Sequence, residues 1–316
     1  VGDIAKGVLG GGWALLVGWI LPTALNLAVF TLAVAPSLHR PAILDRLWPA
    51  SGGPTALLLL VAAVLLGLVL NALQTPLYRF LEGYALWPGA VYERGCRLQR
   101  ARRQKTADRL ADPGLTSPIR RALLREKLSR YPVSDNQITP TRLGNAIRRF
   151  EEYGYDRYRL DTQVLWNELT SAVPDPTSKQ VVTARTNVDF FVALLYGHAV
   201  VAITAFASLS TSRADRPALI FTGICVIILT PVWYHAAVAA TDEWAAAVRA
   251  LVNLGRKPLA DGLGLTLPKS LEDERRMWQL VTRMSNRPYA PAANSAFEPY
   301  RIDAPRLSGE PAPPLS

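Results

Sequence analysis

The sequence predicts an all-α membrane protein: four transmembrane helices, a helical cytosolic domain inserted between spans two and three, and a C-terminal helical extension. This rests on three features of the chain. Half of its 316 residues are hydrophobic and only 19% are charged, against about 25% in ordinary soluble domains, and the mean hydropathy is positive, +0.13. Four stretches supply the roughly 20 apolar residues needed to cross about 30 Å of hydrocarbon. Outside them no sustained period-two alternation occurs, and the punctuation marks are those of helices. The same composition excludes a disordered chain. Three His and two Cys exclude a disulfide scaffold and argue against a multi-ligand zinc site.

The first span is expected over 12–35. Its apolar run is too long for the core of a signal peptide, and only Lys6 lies ahead of it. Ala33-Val34-Ala35 is followed by Pro36, a poor cleavage context, so a retained helix is expected. The second span, 55–73, has no polar side chain between Leu57 and Leu70. It is expected to run on through Thr75-Pro76 to Glu82, until Trp87-Pro88-Gly89 breaks it. A basic helix follows over 91–110. Ser117-Pro118 reads as an N-cap with proline at the first helical position, and Ile119, Leu123, Leu124 and Leu128 give one apolar face. Thr139-Pro140 repeats the start signal, and Leu143, Ala146, Ile147 and Phe150 follow at i, i+3, i+4, i+7. Tyr153, Tyr155 and Tyr158 lead to a helix through Leu165, Trp166 and Leu169, which Pro174 and Pro176 interrupt.

The third span is expected over 188–209 and the fourth over 218–240. Trp244, Val248 and Leu251 extend the fourth as far as Gly255, a natural helix stop. The last helix starts at Ser270, with Asp273 completing a capping box. Acidic Glu272 to Glu274 fill its first turn and Arg275, Arg276 and Arg283 follow, as the helix dipole favours. Met277, Trp278, Leu280, Val281 and Met284 supply its buried side, and a Pro-rich extended tail follows Asn286. The domains are then spans one and two (12–73), a basic helical domain (74–187), spans three and four (188–240), further helices (241–285) and the tail (286–316).

Four spans put both termini on one side. Lys6, Arg79, Lys179, Arg185, Arg249, Arg256 and Lys257 flank that side, against Arg40, Arg46, Arg213 and Arg216 on the other. The positive-inside rule therefore favours cytoplasmic termini. Trp13, Trp48, Trp233 and Tyr234 fall near the ends of spans, where amphipathic rings sit at headgroup level, or else serve as core aromatics.

Several stretches carry a family resemblance: Gln74-Thr75-Pro76-Leu77, Glu82-Gly83-Tyr84, Pro140-Thr141-Arg142-Leu143-Gly144-Asn145, residues 161–169, and Glu272-Asp273-Glu274-Arg275-Arg276-Met277-Trp278. Through these the chain resembles a group of uncharacterised four-span integral membrane proteins of high-GC bacteria. The resemblance implies the fold and a bacterial inner-membrane location, and it brings no activity and no catalytic residue.

Standard catalytic spacings are missing: no His-Glu-x-x-His, no Cys-x-x-Cys, no Gly-x-Ser-x-Gly, and no Walker loop, since Gly7 to Gly12 lack the Lys-Ser/Thr. No enzymatic activity, cofactor or metal is expected. Cys96 and Cys225 lie in different compartments of this topology and are not expected to pair. The informative polar residues are intramembrane. Asp189 and His235 fall at similar depth on antiparallel spans, with Asn71 level with them. Either Asp189 bonds His235 as a proton-sensitive latch, or both simply reach the headgroup layer. Asn26, beside Pro22 and Thr23 near the middle of span one, either bonds another helix or, with Thr23, lines a pore. His198 reads as a buried, hydrogen-bonded histidine or a ligand. The basic run Arg94, Arg97, Arg100, Arg102, Arg103, Lys105 and Arg109 offers contacts to anionic membrane lipid, or is a solvated helix face. Nucleic-acid binding is not expected, because no recognisable module is present.

Two functions compete. The chain is a membrane-anchored adaptor or effector that recruits or senses a cytosolic protein partner, or it is a homo-oligomeric ion channel whose helices extend into a stalk. Bestrophin-type channels share that broad layout without a shared motif. A secondary transporter would need more spans and inverted repeats, and no internal repeat is found.

Overall fold

The structure, a computed structural model, describes residues 12–38, 52–288 and 295–302. Lys6, Arg40, Arg46, Trp48, the glycines at 7–11 and most of the Pro-rich tail lie outside them. The described residues are helical, with no strand among them. In order the helices are α1 (Gly12–Ser37), α2 (Gly52–Ala72), α3 (Gln74–Glu82), α4 (Gly89–Ala111), α5 (Pro118–Ser129) and α6 (Arg142–Glu151). Then come α7 (Tyr153–Tyr158), α8 (Trp166–Ala172), α9 (Asp175–Ala207), α10 (Arg216–Gly262) and α11 (Leu271–Ser285). Helices α1, α2, α9 and α10 are long and apolar enough to cross a membrane. The chain divides into two compact units. One is Val1–Arg149 with Lys179–Ala247, the other Phe150–Ser178 with Val248–Ser316.

In the first unit the apolar side chains of the four long helices are turned outward. Helix α2 is the most hydropathic, yet little of it is buried. Leu57, Leu60 and Leu65 stand about 60% exposed, and on α10 Ile228 is 61% and Phe221 71% exposed. A continuous apolar surface of this kind associates in water, whereas hydrocarbon solvates it and the helices satisfy their own backbone groups. Helix α9 is the most buried of the four. Val34 of α1, Val201 and Ala205 of α9, and Leu219 and Val226 of α10 form an apolar cluster where those three helices meet.

Helix α1 is irregular, with widened turns at Leu16–Ile20 and Phe30–Val34. The first lies directly before Pro22, whose ring and missing N–H disturb the preceding turn. Polar side chains take up backbone carbonyls there: Thr23 Oγ1 donates to the Trp19 carbonyl at 2.6 Å and Asn26 Nδ2 to that of Pro22 at 2.8 Å.

Helix boundaries differ from the sequence expectation at several points, each for a local reason. Span two does not run unbroken to Glu82. Leu73 leaves helical geometry (φ −88°, ψ 5°), and Pro76 falls in the first turn of α3, where its missing N–H has no helical partner to lose. The helix that carries span three begins at Asp175, well before Val188, because Pro176 occupies the start of α9 and initiates the helix. Helix α6 is capped by Thr141, two residues after Thr139: the Gly144 N–H donates to Thr141 Oγ1 at 2.9 Å. Leu143, Ala146, Ile147 and Phe150 are buried as their spacing predicts. Ser117 caps α5 as expected. The apolar face of α5 is only partly covered, however: Leu124 and Leu128 are half-buried, no residue of that helix is fully buried, and Ile119 is 74% exposed.

In the second unit Gly255 does not stop the fourth long helix. Helix α10 continues to Gly262, and the turn falls at Gly264 (φ +72°), a conformation suited to glycine. Gly255 instead admits α8: a Cβ there would lie 2.6 Å from Leu169 Cδ1 and 2.7 Å from Val173 Cγ1. Ser270 caps α11, accepting from the Asp273 N–H at 3.1 Å. Met277, Trp278 and Val281 are buried, but Met284 is exposed in the last turn. The described part of the Pro-rich tail is not extended away from the chain. The Thr266 N–H donates to the Tyr300 carbonyl at 2.7 Å, the Ile302 N–H to that of Gly264 at 3.1 Å, and Phe297 is buried.

Candidate functional site

The polar side chains of the first unit gather in two centres between its long helices and in a basic pocket beside α10. The first centre is Asp189, buried on α9 where Gly18 brings α1 close: a Cβ on Gly18 would lie 3.2 Å from that of Asp189. Tyr78 Oη donates to Asp189 Oδ1 at 2.7 Å, and Trp19 hydrogen-bonds the same side chain. Arg185, one helical turn earlier, has its Nε 3.9 Å from Asp189 Oδ2. Its Nη2 donates to Gln74 Oε1 at 2.9 Å, and its guanidinium lies 5.8 Å from the Trp244 ring centroid. Helices α1, α3, α9 and α10 thus meet around one carboxyl group. Burial pushes the Tyr78 phenol well above its ordinary range; the Asp189 charge and hydrogen bond add to this and Arg185 opposes it.

The expected Asp189–His235 latch is not formed. Trp233 is the residue of α10 that faces α9, where its ring stacks on Phe191 with centroids 6.1 Å apart. Two residues along an α-helix are about 200° apart, so His235 points to the other side and is exposed. Asn71 is half-buried in the last turn of α2 and does not join the Asp189 set.

The second centre unites two residues flagged separately in the sequence. Asn26 Oδ1 of α1 lies 2.8 Å from His198 Nδ1 of α9, and both are buried. Asn26 seats against Gly197, where any Cβ would overlap its amide. The His198 ring meets Trp233 edge-on at 5.9 Å between centroids. Of the two readings of Asn26, the bond to another helix is the one formed. Thr23 is also buried, its hydroxyl engaged with its own helix.

The basic run lies along α4. Its buried side presents Cys96 and Gln99, whose Sγ and Nε2 reach the Ile138 and Pro140 carbonyls at 3.3 and 3.4 Å. Burial pushes the Cys96 thiol up, away from reactive thiolate, and both cysteines are free. On the outer side Arg103 pairs with Asp135, and Arg100 Nε reaches the Asp135 carbonyl at 3.4 Å. Arg94 and Arg97 are exposed. Arg102 and Lys105 turn toward His235 and Tyr131 and line a pocket with them. Arg130 holds this region to α10 through Asp242, its Nε at 2.8 Å from Oδ1, and also bonds Glu126. Hydrogen bonding to Asp242 raises the Arg130 pKa. Burial pushes the Tyr131 phenol up while Arg142 and Arg102 pull it down. Tyr234 Oη accepts the Arg142 and Leu143 N–H groups at 3.1 and 3.2 Å.

Pro140 seats between Gly83 and Gly95, and Gly144 abuts Glu82. The Glu82-Gly83 and Pro140-to-Asn145 stretches are therefore one packing unit. Sequence reading missed Trp19, Gln74, Tyr78 and Arg185. The i, i+4 spacings of Gln74 with Tyr78 and of Arg185 with Asp189 were the available signal. No group of three or more His, Cys, Asp or Glu able to hold a metal occurs among the described residues. No protein-family model, curated protein or solved structure matches this chain.

Proposed function

We propose that the protein is a multi-pass protein of a bacterial inner membrane, with both termini cytoplasmic, that holds a basic helical segment at the inner face to recruit or sense a partner. The observation that carries this reading is where the polar groups of the long helices go. Asp189 is bound by Tyr78, Trp19 and Arg185, and Asn26 by His198. Groups bonded to one another within one chain act as fasteners between helices. A pore wall would instead present them to a water-filled path. Outside the apolar helices, the residues from α4 to α5 present Arg and Lys side chains together with exposed Leu98, Ile119 and Leu123, a surface suited to contact with a partner.

The test has two parts. Light scattering in detergent should give a monomer or small oligomer, and reconstituted liposomes should show no ion flux. A large ring with flux would replace this reading by the homo-oligomeric channel. Orientation is read by cysteine labelling in a Cys96→Ser, Cys225→Ser background. An impermeant maleimide should label Arg213→Cys from outside intact cells and Arg94→Cys only after lysis. The opposite pattern overturns the orientation.

A further inference from the structure

We infer that the pocket between α4, α5, the start of α6 and α10 is a binding site for a phosphate-bearing anion of two or more charges. It holds about 480 Å³, within the range of small-ligand sites. Arg102, Lys105 and Arg109 line it from α4, Lys127 from α5, Arg142 from the start of α6 and His235 from α10. Elements far apart in sequence thus converge cations on one space. Among the described residues, Arg102, Lys105, Arg109, Lys127 and Arg142 have no carboxylate partner. No carboxylate is among the residues that line it; the neighbouring Glu126 and Asp242 are taken by Arg130, and Asp108 of α4 accepts from Gln104 Nε2 at 2.8 Å. Five like charges around one cavity repel one another, and a multivalent anion relieves that repulsion.

The walls are fixed before any ligand arrives. Arg130 ties α5 to α10 through Asp242, and Tyr131 Oη donates to Gln99 Oε1 of α4 at 3.2 Å. Tyr234 of α10 holds the first N–H groups of α6. The start of α6, which brings Arg142 and Asn145 to the pocket, is thereby held in place. Arginine forks match phosphate oxygens in bidentate geometry. The shared chemistry is a phosphomonoester or paired phosphates, carried by an anionic lipid headgroup or by a soluble phosphate compound. His235 and Val238 fall near the end of the apolar stretch of α10, expected over 218–240, so a headgroup has a direct route. This site goes beyond the proposed anchoring role, and membrane insertion bears only on which source supplies the phosphate.

The experiment is calorimetric titration of the full chain in neutral detergent with inorganic pyrophosphate. Binding should be measurable, and Arg102→Gln with Arg142→Gln should weaken it by about tenfold or more, the scale of a lost charge-assisted hydrogen bond. Lys105→Gln with Arg109→Gln should do the same, which guards against misfolding of the first pair. Arg94→Gln with Arg97→Gln, on the same basic helix outside the pocket, should leave affinity unchanged. Absence of binding, or an equal loss in all three pairs, overturns the site in favour of a diffuse positive field. The titration is repeated in nanodiscs. Pyrophosphate binding lost with cardiolipin but kept with phosphatidylcholine identifies a lipid headgroup as the occupant; binding kept in both identifies a soluble phosphate. A chain that dissolves without detergent would sink the membrane reading and leave the titration intact.

Discussion

Asn26 and His198 meet at 2.8 Å between α1 and α9, with Gly197 making the room for the amide. Each is buried, and without the other the Asn26 Oδ1 and the His198 Nδ1 would each lose this partner. Asn26→Leu or His198→Leu alone should therefore destabilise the bundle by about 1–2 kcal/mol. The double variant should lose less than the sum, with a coupling of about 1 kcal/mol on the scale of interhelical hydrogen bonds in membranes. Unfolding in mixed micelles, followed through tryptophan emission, measures both. Additive losses would mean that the pair is not coupled.

Tyr78 and Asp189 give a prediction with a pH signature. The folded chain holds the Tyr78 proton above the ordinary phenol value of 10.0 because burial and the Asp189 charge disfavour the phenolate. A folded pKa above the unfolded one contributes stability below pH 10, and that contribution is lost as pH rises through the folded value. Tyr78→Phe should thus lower stability at neutral pH by about 1–3 kcal/mol, for a buried acceptor deprived of its donor. It should also reduce the alkaline loss. Thermal melts in detergent between neutral pH and pH 11 test this, and an unchanged alkaline slope would rule it out.

The two centres were unequally legible in the sequence. Asn26, His198 and Asp189 are polar residues in apolar runs, and hydrocarbon makes such residues conspicuous. Their partners were harder to read. Tyr78 lies beyond the end of span two, and the break at Leu73 aims α3 at α9, a change of direction that a hydropathy profile does not carry. His235 was matched to Asp189 by depth alone. Depth leaves the azimuth around α10 open, and the side facing α9 is taken by Trp233. Prolines 174 and 176 read as breakers because their effect depends on position: fatal in a helix interior, favourable in its first turn. The open face of α5 follows the helical period correctly, yet period alone does not say what covers it.

Gly255 offers a test of the corrected end of α10. Helix continuation past it depends on no special backbone, but Leu169 and Val173 of α8 rest where a side chain would go. Gly255→Ala should stabilise an isolated helix by up to about 1 kcal/mol. In this protein it should destabilise by about 1–3 kcal/mol, the range of overpacking in a filled site. The companion change Leu169→Ala should cost about 2–5 kcal/mol alone, and less in the Gly255→Ala background, since the new methyl occupies part of the void. Chemical unfolding of the two single variants and the double variant decides between a packing glycine and a helix stop. Stabilisation by Gly255→Ala would exclude the packing role.

Glu274 of α11 is buried against Arg256 of α10, with Nη1 to Oε1 at 2.5 Å, and it also accepts from Trp278 Nε1 at 3.1 Å. The Arg256 guanidinium lies 3.8 Å from the centroid of the Tyr158 ring, whose hydroxyl donates to Asn253 Oδ1 at 2.9 Å. One arginine thus fastens three helices of the second unit by charge, hydrogen bond and ring contact. Arg256→Met keeps the stem and removes the charge, leaving the carboxylate buried with only the indole as donor. It should destabilise the second unit by about 3–5 kcal/mol, as for one partner taken from a buried ion pair. Adding Glu274→Met removes the stranded charge and should recover a large part of that loss. Trp278 sits in the contact and reports it directly: Arg256→Met should shift its emission, and Arg276→Met, on an exposed i, i+4 pair with Glu272, should not. If the second substitution deepens the defect instead of relieving it, the carboxylate is held by Trp278 and not by Arg256.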